Sequence, residues 1–146
     1  MSYFHISPLK NKKSILKNGL KSNDGTIFLF TDIMQENNIA VNQLFISEYS
    51  VFEILTEGIS GELEEDNVTD IGSEYQVILM QDLIEAKYIK HISDIKKNIY
   101  DAIEAVEYPK YKAMGFTDEQ YIDMLRIYPE RLARYNEVNG TDYKPK

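Results

Sequence analysis

The tightest constraint on this chain lies in residues 1–32, MSYFHISPLKNKKSILKNGLKSNDGTIFLFTD, where two apolar runs bracket a short amphipathic stretch and a turn. Tyr3, Phe4, His5 and Ile6 form a β-prone run that Pro8 closes, because proline has no N–H to give to a continuing ladder. The strand is predicted to end just past His5. From Asn11 to Asn18, Ile15 and Leu16 stand among lysines, and Gly19 follows where a helix stops in a left-handed residue, so the spacing predicts a helix of about two turns. Asn23, Asp24 and Gly25 read as a turn, and Ile27 to Phe30 as a second strand. A histidine is thereby set against a neighbouring apolar strand.

The remainder alternates less regularly. Thr31 or Asp32 with Gln35 makes a capping pattern, and Ile33, Ala40, Val41 and Leu44 recur at helical spacing. Val51 to Leu55 is β-prone. Gly58 and Gly61 then break the run before an acidic stretch, Glu62, Glu64, Glu65, Asp66 and Asp70, which is expected to be a solvated loop. Tyr75 to Met80, YQVILM, is the strongest strand in the chain, with Glu74 just before it, and Lys87 to Ile92 is a further strand. From residue 93 the period becomes helical: Ser93 is expected to cap a run in which Ile95, Ile99, Ala102, Ile103 and Val106 share a stripe. Gly115 ends a short helical turn, Thr117 with Gln120 forms a capping box opening a helix with Tyr121, Met124, Leu125 and Tyr128, and Pro129 opens a last helix ending near Gly140. This order is α+β rather than a repeating βαβ array. It is expected to fold as a single domain over 1–146, with an α+β core at 1–92 and a helical appendage at 93–146 packed on it.

Charge and composition narrow the function classes. A length of 146 residues suffices to bury about 70% of the unfolded surface without staples. The absence of cysteine rules out thiol catalysis and a disulfide framework, and fits a cytoplasmic setting. No segment approaches the roughly 18 apolar residues of a membrane span, and the N-terminus lacks a signal-peptide pattern, so a soluble, unprocessed chain without a membrane partner is expected. A net charge of -8 argues against direct nucleic-acid binding, which is driven by cation-mediated counterion release; it reads first as solubility alone and second as an attraction to basic surfaces. No zinc, phosphate-loop, dinucleotide or nucleophile-elbow pattern is present, and no metal site is expected. His91, between apolar neighbours and without an acidic partner at ligand spacing, reads as structural.

Three blocks carry a resemblance. YFHISPLKNKKSILKNGL resembles the opening of the poly(ADP-ribose) polymerase and diphtheria-toxin branch of the ADP-ribosyltransferases, in which a strand ending in His-Gly-Ser or His-Gly-Thr leads to a helix with an Ile-Leu…Gly-Leu ending. GTIFLFTDIMQENNIA is similar to the family's Gly-Ile-Tyr-Phe-Ala-Asp strand and helix, and SEYQVILMQDLIEAKYIKHI to the block bearing its catalytic glutamate in an Asn-Glu-Tyr strand. The blocks arrive in family order and cover most of residues 3–92. Small phage-encoded anti-CRISPR ADP-ribosyltransferases also open with a His-x-Ser-Pro strand.

The resemblance implies an ADP-ribosyltransferase-like split β-sheet core, NAD as substrate, no metal, and a macromolecular acceptor, foremost a protein. It carries His5 to the residue that hydrogen-bonds the NAD ribose, Ser7 to the hydroxyl near the nicotinamide carboxamide, and Glu74 to the catalytic glutamate. Ile6 stands where the family has glycine. In place of the tyrosine stacked on nicotinamide, alignment on Asp32 gives Leu29, and a shift of one gives Phe28 or Phe30. A one-residue slip flips a strand's faces, so Phe28 and Phe30 go together and Leu29 opposes them.

The chemistry needs an anion near the ribose, donors or acceptors for its hydroxyls, and a flat apolar wall, because N-glycosidic cleavage passes through an oxocarbenium-like state. Glu74 supplies the charge, His5 holds a hydroxyl through one ring nitrogen, and Phe28 or Phe30 forms the wall. Gln76, two residues after Glu74, shares its strand face and orients ribose or acceptor; toxins with Glu-x-Glu here use the second residue, which would make Gln76 an impairment. His5 and Glu74 are expected to meet across adjoining strands. Two rival readings remain: an inactive scaffold of this fold acting as a binding or inhibitory protein, and an acidic nucleic-acid mimic, which requires carboxylates along one face and no cleft.

Overall fold

A computed structural model describes residues 2–36, 39–40, 44, 46–65, 76–97, 112–117, 120 and 128–142. In chain order the elements are β1 (Tyr3–Pro8), α1 (Lys12–Asn18), β2 (Leu20–Lys21), β3 (Thr26–Phe30), β4 (Glu48–Ile54), β5 (Glu62–Glu65), β6 (Gln76–Met80), β7 (Leu83–Ile84), β8 (Ile89–Lys96) and α2 (Tyr128–Asn139). The chain is α+β, and its strands pair antiparallel throughout the described residues. A six-stranded sheet runs β5-β6-β3-β1-β4-β8, with β2 and β7 forming a separate two-stranded ribbon.

The sheet is unevenly knit. β1 pairs with β4 from Tyr3↔Ile54 to Pro8↔Tyr49, and β3 with β6 from Thr26↔Met80 to Phe30↔Gln76. Between β1 and β3, however, the register consists of Phe4↔Phe30 alone. The sheet is therefore two three-stranded halves joined at a seam. Apolar side chains form two clusters: Ile27, Leu29, Phe52, Ile54 and Leu79 with Ile15 of α1, and Ile6, Phe30, Val51 and Tyr49 with Ile39 and Ala40. Each fully buried Ile, Leu or Phe among them contributes about 1.5–3 kcal/mol.

Local chemistry explains the framing elements. Asp24 and Gly25 have φ of 54° and 83°, and Asn23 pairs with Thr26, the geometry of a two-residue hairpin that only such residues accept comfortably. Gly19 stops α1 at φ 86°, and a Cβ there would stand 2.4 Å from the Ile84 carbonyl oxygen, so glycine also lets α1 close on the β2–β7 ribbon. Gln81 clasps the opposite corner: its Oε1 accepts from the backbone N–H of Ser60 and Gly61 at 2.8 and 2.9 Å, and its Nε2 donates to the carbonyls of Gly58 and Leu83. Lys12, Ser50 and His91 converge on Asp94, at 2.7, 2.7 and 2.8 Å, tying α1 to β4 and β8.

Several expectations are corrected. β1 continues through Pro8, whose missing N–H is harmless at the last strand position, so His5 is mid-strand. Residues 62–65 form an exposed edge strand on β6, where alternate carboxylates remain solvated while the backbone is paired. Ser93 lies within β8 and pairs with Val51 instead of capping a helix, because the alternation of half-buried and exposed residues continues to Lys96. Asp32 caps a 3-10 turn at Ile33–Gln35 by accepting from the Met34 N–H. The Thr117–Gln120 capping box forms, with the Gln120 N–H donating to Thr117 Oγ1 at 3.1 Å and the Thr117 N–H to Gln120 Oε1 at 2.9 Å. α2 contains Pro129 in its first turn and is followed by Gly140 at φ 66°. Its Tyr135 is fully buried. Burial, with Glu36 and Tyr135 as smaller causes, pushes the Tyr49 hydroxyl far above its ordinary pKa of 10.0. The expected stripe at Ile99, Ala102, Ile103 and Val106, and Tyr121, Met124 and Leu125, lie outside the described residues.

Candidate active site

The seam opens into a cavity of about 560 Å³, within the roughly 300–1,000 Å³ of small-molecule sites. Strand β1 supplies His5, Ile6 and Ser7 to its wall, β3 supplies Thr26 through Phe30, and β6 supplies Gln76; α1 and the ribbon close the far side with Ser14, Ile15, Leu20 and Lys21. A sheet that lost its ladder at this point without filling the gap leaves such a hollow, since paired strands stand only about 4.8 Å apart.

His5 spans the seam. Its Nδ1 lies 2.9 Å from the carbonyl oxygen of Phe28. A carbonyl only accepts, so Nδ1 carries the proton and, in the neutral ring, Nε2 keeps a lone pair. Burial lowers the His5 pKa from its ordinary 6.5, against a smaller upward pull from the Phe28 carbonyl, so the ring is neutral at pH 7. The tautomer that sequence alone left open is thus set by the backbone of the facing strand.

The aromatic pair divides its labour. Phe28 and Phe30 share a face, as period-two geometry requires, but Phe28 is 50% exposed at the cavity, whereas Phe30 is buried and tilts against Phe4 with ring centroids 5.6 Å apart. Phe28 is the accessible flat wall; Phe30 is core that backs it. Leu29 faces the other way, into the cluster with Leu79 and Phe52. Ile6, in the family's glycine position, puts its side chain into the cluster with Phe30 and Val51, so the extra carbons are absorbed by the core. Ser7 is buried, and its Oγ accepts from Asn11 Nδ2 at 3.2 Å.

Gln76 is the unusual polar group. It is 8% exposed, it stands opposite Phe30 in the ladder, and its Oε1 has no hydrogen-bond partner. A buried carboxamide oxygen left bare costs about 1–3 kcal/mol, which a donor from a ligand or an ordered water would offset; Glu36 Oε2 and Tyr49 OH are bare in the same way, but only Gln76 lines the cavity. Glu74 lies outside the described residues. His5, Ile6, Ser7, Phe28, Phe30 and Gln76 therefore share one cavity, with the histidine strand and the Gln76 strand separated by β3 rather than adjoining as expected.

Sequence reasoning missed Asn11, which holds Ser7, and Lys21, the cation of the lining. Nothing in their spacing marks them, since both acquire a role only when α1 and the ribbon fold over the seam. His91, read as structural, is part of a structural tie whose acid the sequence reading did not pick out: its Nε2 bonds Asp94, three residues on, which also binds Lys12 of α1. Among the described residues no cluster of acids, histidines or cysteines is arranged to hold a metal, and no helix is long and apolar enough to cross a membrane. Comparison with protein-family models, curated proteins and solved structures finds no match to this chain.

Proposed function

We propose that this chain is an ADP-ribosyltransferase that cleaves NAD and transfers ADP-ribose to a macromolecular acceptor, foremost a protein. The observation that carries the reading is the cavity at the sheet's seam, which a neutral histidine of fixed tautomer, an exposed phenylalanine and an unpartnered buried carboxamide all line. A sheet divided beside its histidine strand is what the sequence resemblance implies, and the three resembling blocks supply β1, β3 and β6 of that division.

Each group has a task in this reading. His5 Nε2 accepts a hydrogen bond from a ribose hydroxyl, Phe28 stacks on the nicotinamide ring, and Ser7 with the β1 backbone meets its carboxamide. Gln76 Oε1 accepts from a ribose hydroxyl or the incoming acceptor, and Lys21 faces the diphosphate. Glu74 precedes Gln76 by two residues in the sequence. Its carboxylate stabilises the oxocarbenium-like charge as the glycosidic bond breaks and nicotinamide leaves with the bonding electrons.

The test incubates the protein with NAD labelled in its ADP-ribose moiety and a cell lysate, beside Glu74→Gln. Label on a discrete band, lost by at least 100-fold in Glu74→Gln, is the expected result. Nicotinamide release without a labelled band would make the chain an NAD hydrolase. Neither product would overturn the enzyme reading in favour of an inactive binding scaffold.

A further inference from the structure

The outer face of the β5–β6–β3 half-sheet has a composition that the cavity does not explain. Register fixes which side chains share it: Glu62↔Met80↔Thr26 form one cross-strand row and Glu64↔Ile78↔Phe28 the next. Directly opposed residues of antiparallel strands point the same way, so Phe28, Ile78 and Met80 make an apolar strip, and Glu62 and Glu64 line its outer border. Phe28 is 50% and Met80 43% exposed, and both glutamates are exposed as well. The opposite face of the same strands, with Ile27, Leu29 and Leu79, is buried. An alternating sheet with one solvated face usually places polar residues there; this one places a phenylalanine, an isoleucine and a methionine beside a line of carboxylates.

We infer that this face docks the acceptor, and that the acceptor segment is a basic stretch of protein with apolar side chains between its lysines or arginines. Continuity with the cavity carries the placement: Phe28 belongs both to the cavity wall and to the strip, so a segment seated on the strip lies at the cavity mouth. Charge complementarity carries the occupant. Glu62 and Glu64 attract cations while repelling a second copy of a chain whose net charge is -8, and they disfavour nucleic acid for the same reason. The apolar strip supplies contact that charge alone does not, since rim ion pairs contribute little and buried apolar contact more. The inference rests on the transfer reading only for the use made of the docked segment; the docking itself needs no NAD.

The experiment uses the full chain and a fluorescein-labelled peptide of alternating arginine and leucine, six of each, followed by fluorescence anisotropy at about 0.15 M salt, where the screening length is about 8 Å. Glu62→Lys with Glu64→Lys is expected to weaken binding at least tenfold, and Met80→Ser three- to tenfold. An equal charge change at Glu57 and Glu85, exposed acids outside the face, is expected to weaken it less than threefold. Transfer of label from NAD to the peptide falls in step with binding, whereas nicotinamide release without peptide is unchanged by the Glu62 and Glu64 substitutions. Equal weakening by both pairs of reversals would show attraction to net charge and overturn the docking face, as would unchanged binding in the Glu62 and Glu64 double variant. Selective binding with no labelled peptide and no nicotinamide would uphold the face and sink the transfer reading instead.

Discussion

The β1–β4 junction and the β1–β3 junction use the same strand and have opposite outcomes. Toward β4, β1 is paired at all of its residues, and Phe52, Val51 and Ile54 fill the space behind the ladder with none exceeding 1% exposure. Toward β3, it is paired at Phe4 and then parts from its neighbour, leaving His5, Ser7 and Phe28 around a hollow. One edge of β1 is tightly packed and the other borders the cavity. The core ladder and the proposed site thereby lie on opposite edges of a single strand.

That contrast is breakable. The largest expected effect is on the tight side: Phe52→Ala removes a fully buried ring and should cost about 3–5 kcal/mol in urea unfolding, whereas Phe28→Ala should cost less than about 1 kcal/mol while weakening NAD binding at least tenfold by calorimetry. Equal stability losses at the two sites would abolish the distinction. Next comes Gln81→Ala, which removes four hydrogen bonds to backbone groups around the β6–β7 corner and should cost about 2–3 kcal/mol with NAD binding unchanged.

Gln76→Leu sharpens the comparison by reversing a sign. Because its Oε1 is already bare, replacing the carboxamide by a similar apolar volume should leave stability unchanged or raise it by up to about 1 kcal/mol, measured by thermal unfolding. NAD affinity should fall by roughly tenfold in the same variant, the loss of one hydrogen bond to ligand. A variant that is both less stable and unaltered in NAD binding would make Gln76 ordinary core.

The smallest effects are in pH. Lys12 first, then Ser50 and His91, hold the Asp94 carboxyl well below its ordinary 3.8. A depressed acid contributes stability above its unfolded value, so that contribution is present above pH 3.8 and is lost progressively below it; Asp94→Asn should flatten this acid limb of the stability profile. His5 has a depressed base instead. Its native state resists protonation, so no penalty exists above pH 6.5 and one grows as pH falls below it, while NAD binding should hold until the lower pH at which the folded ring itself takes up a proton, and decline from there. His5→Gln should remove the decline.

How much of this was legible in the chain depends on whether the signal was local. The Asn23–Gly25 turn, the Gly19 helix stop, the Thr117–Gln120 box and the helix opened by Pro129 are written in residues that touch one another, and each forms where expected. The errors share a cause as well. Ser93 has cap chemistry and residues 62–65 have loop composition, yet pairing with a neighbouring strand decides both, and pairing is non-local. The site divides in the same way. His5, Ser7, Phe28 and Gln76 were recognisable as candidates from short blocks, but the role of each depends on distance: the Phe28 carbonyl sets the His5 tautomer, and solvent exposure separates Phe28 from Phe30 although the two differ by two positions.

The lone Phe4↔Phe30 pairing has a further consequence for the main chain itself. An antiparallel strand turns the N–H and C=O of every second residue toward each side, so past Phe4 those on the β3 side of β1 lie at a gap without a strand to meet them. An amide-bearing guest laid in that gap would serve as the rung the sheet leaves out, completing the weave with borrowed atoms. Occupancy would then be visible as slowed hydrogen exchange at alternate amides of β1, with their intervening neighbours, already bound to β4, unchanged.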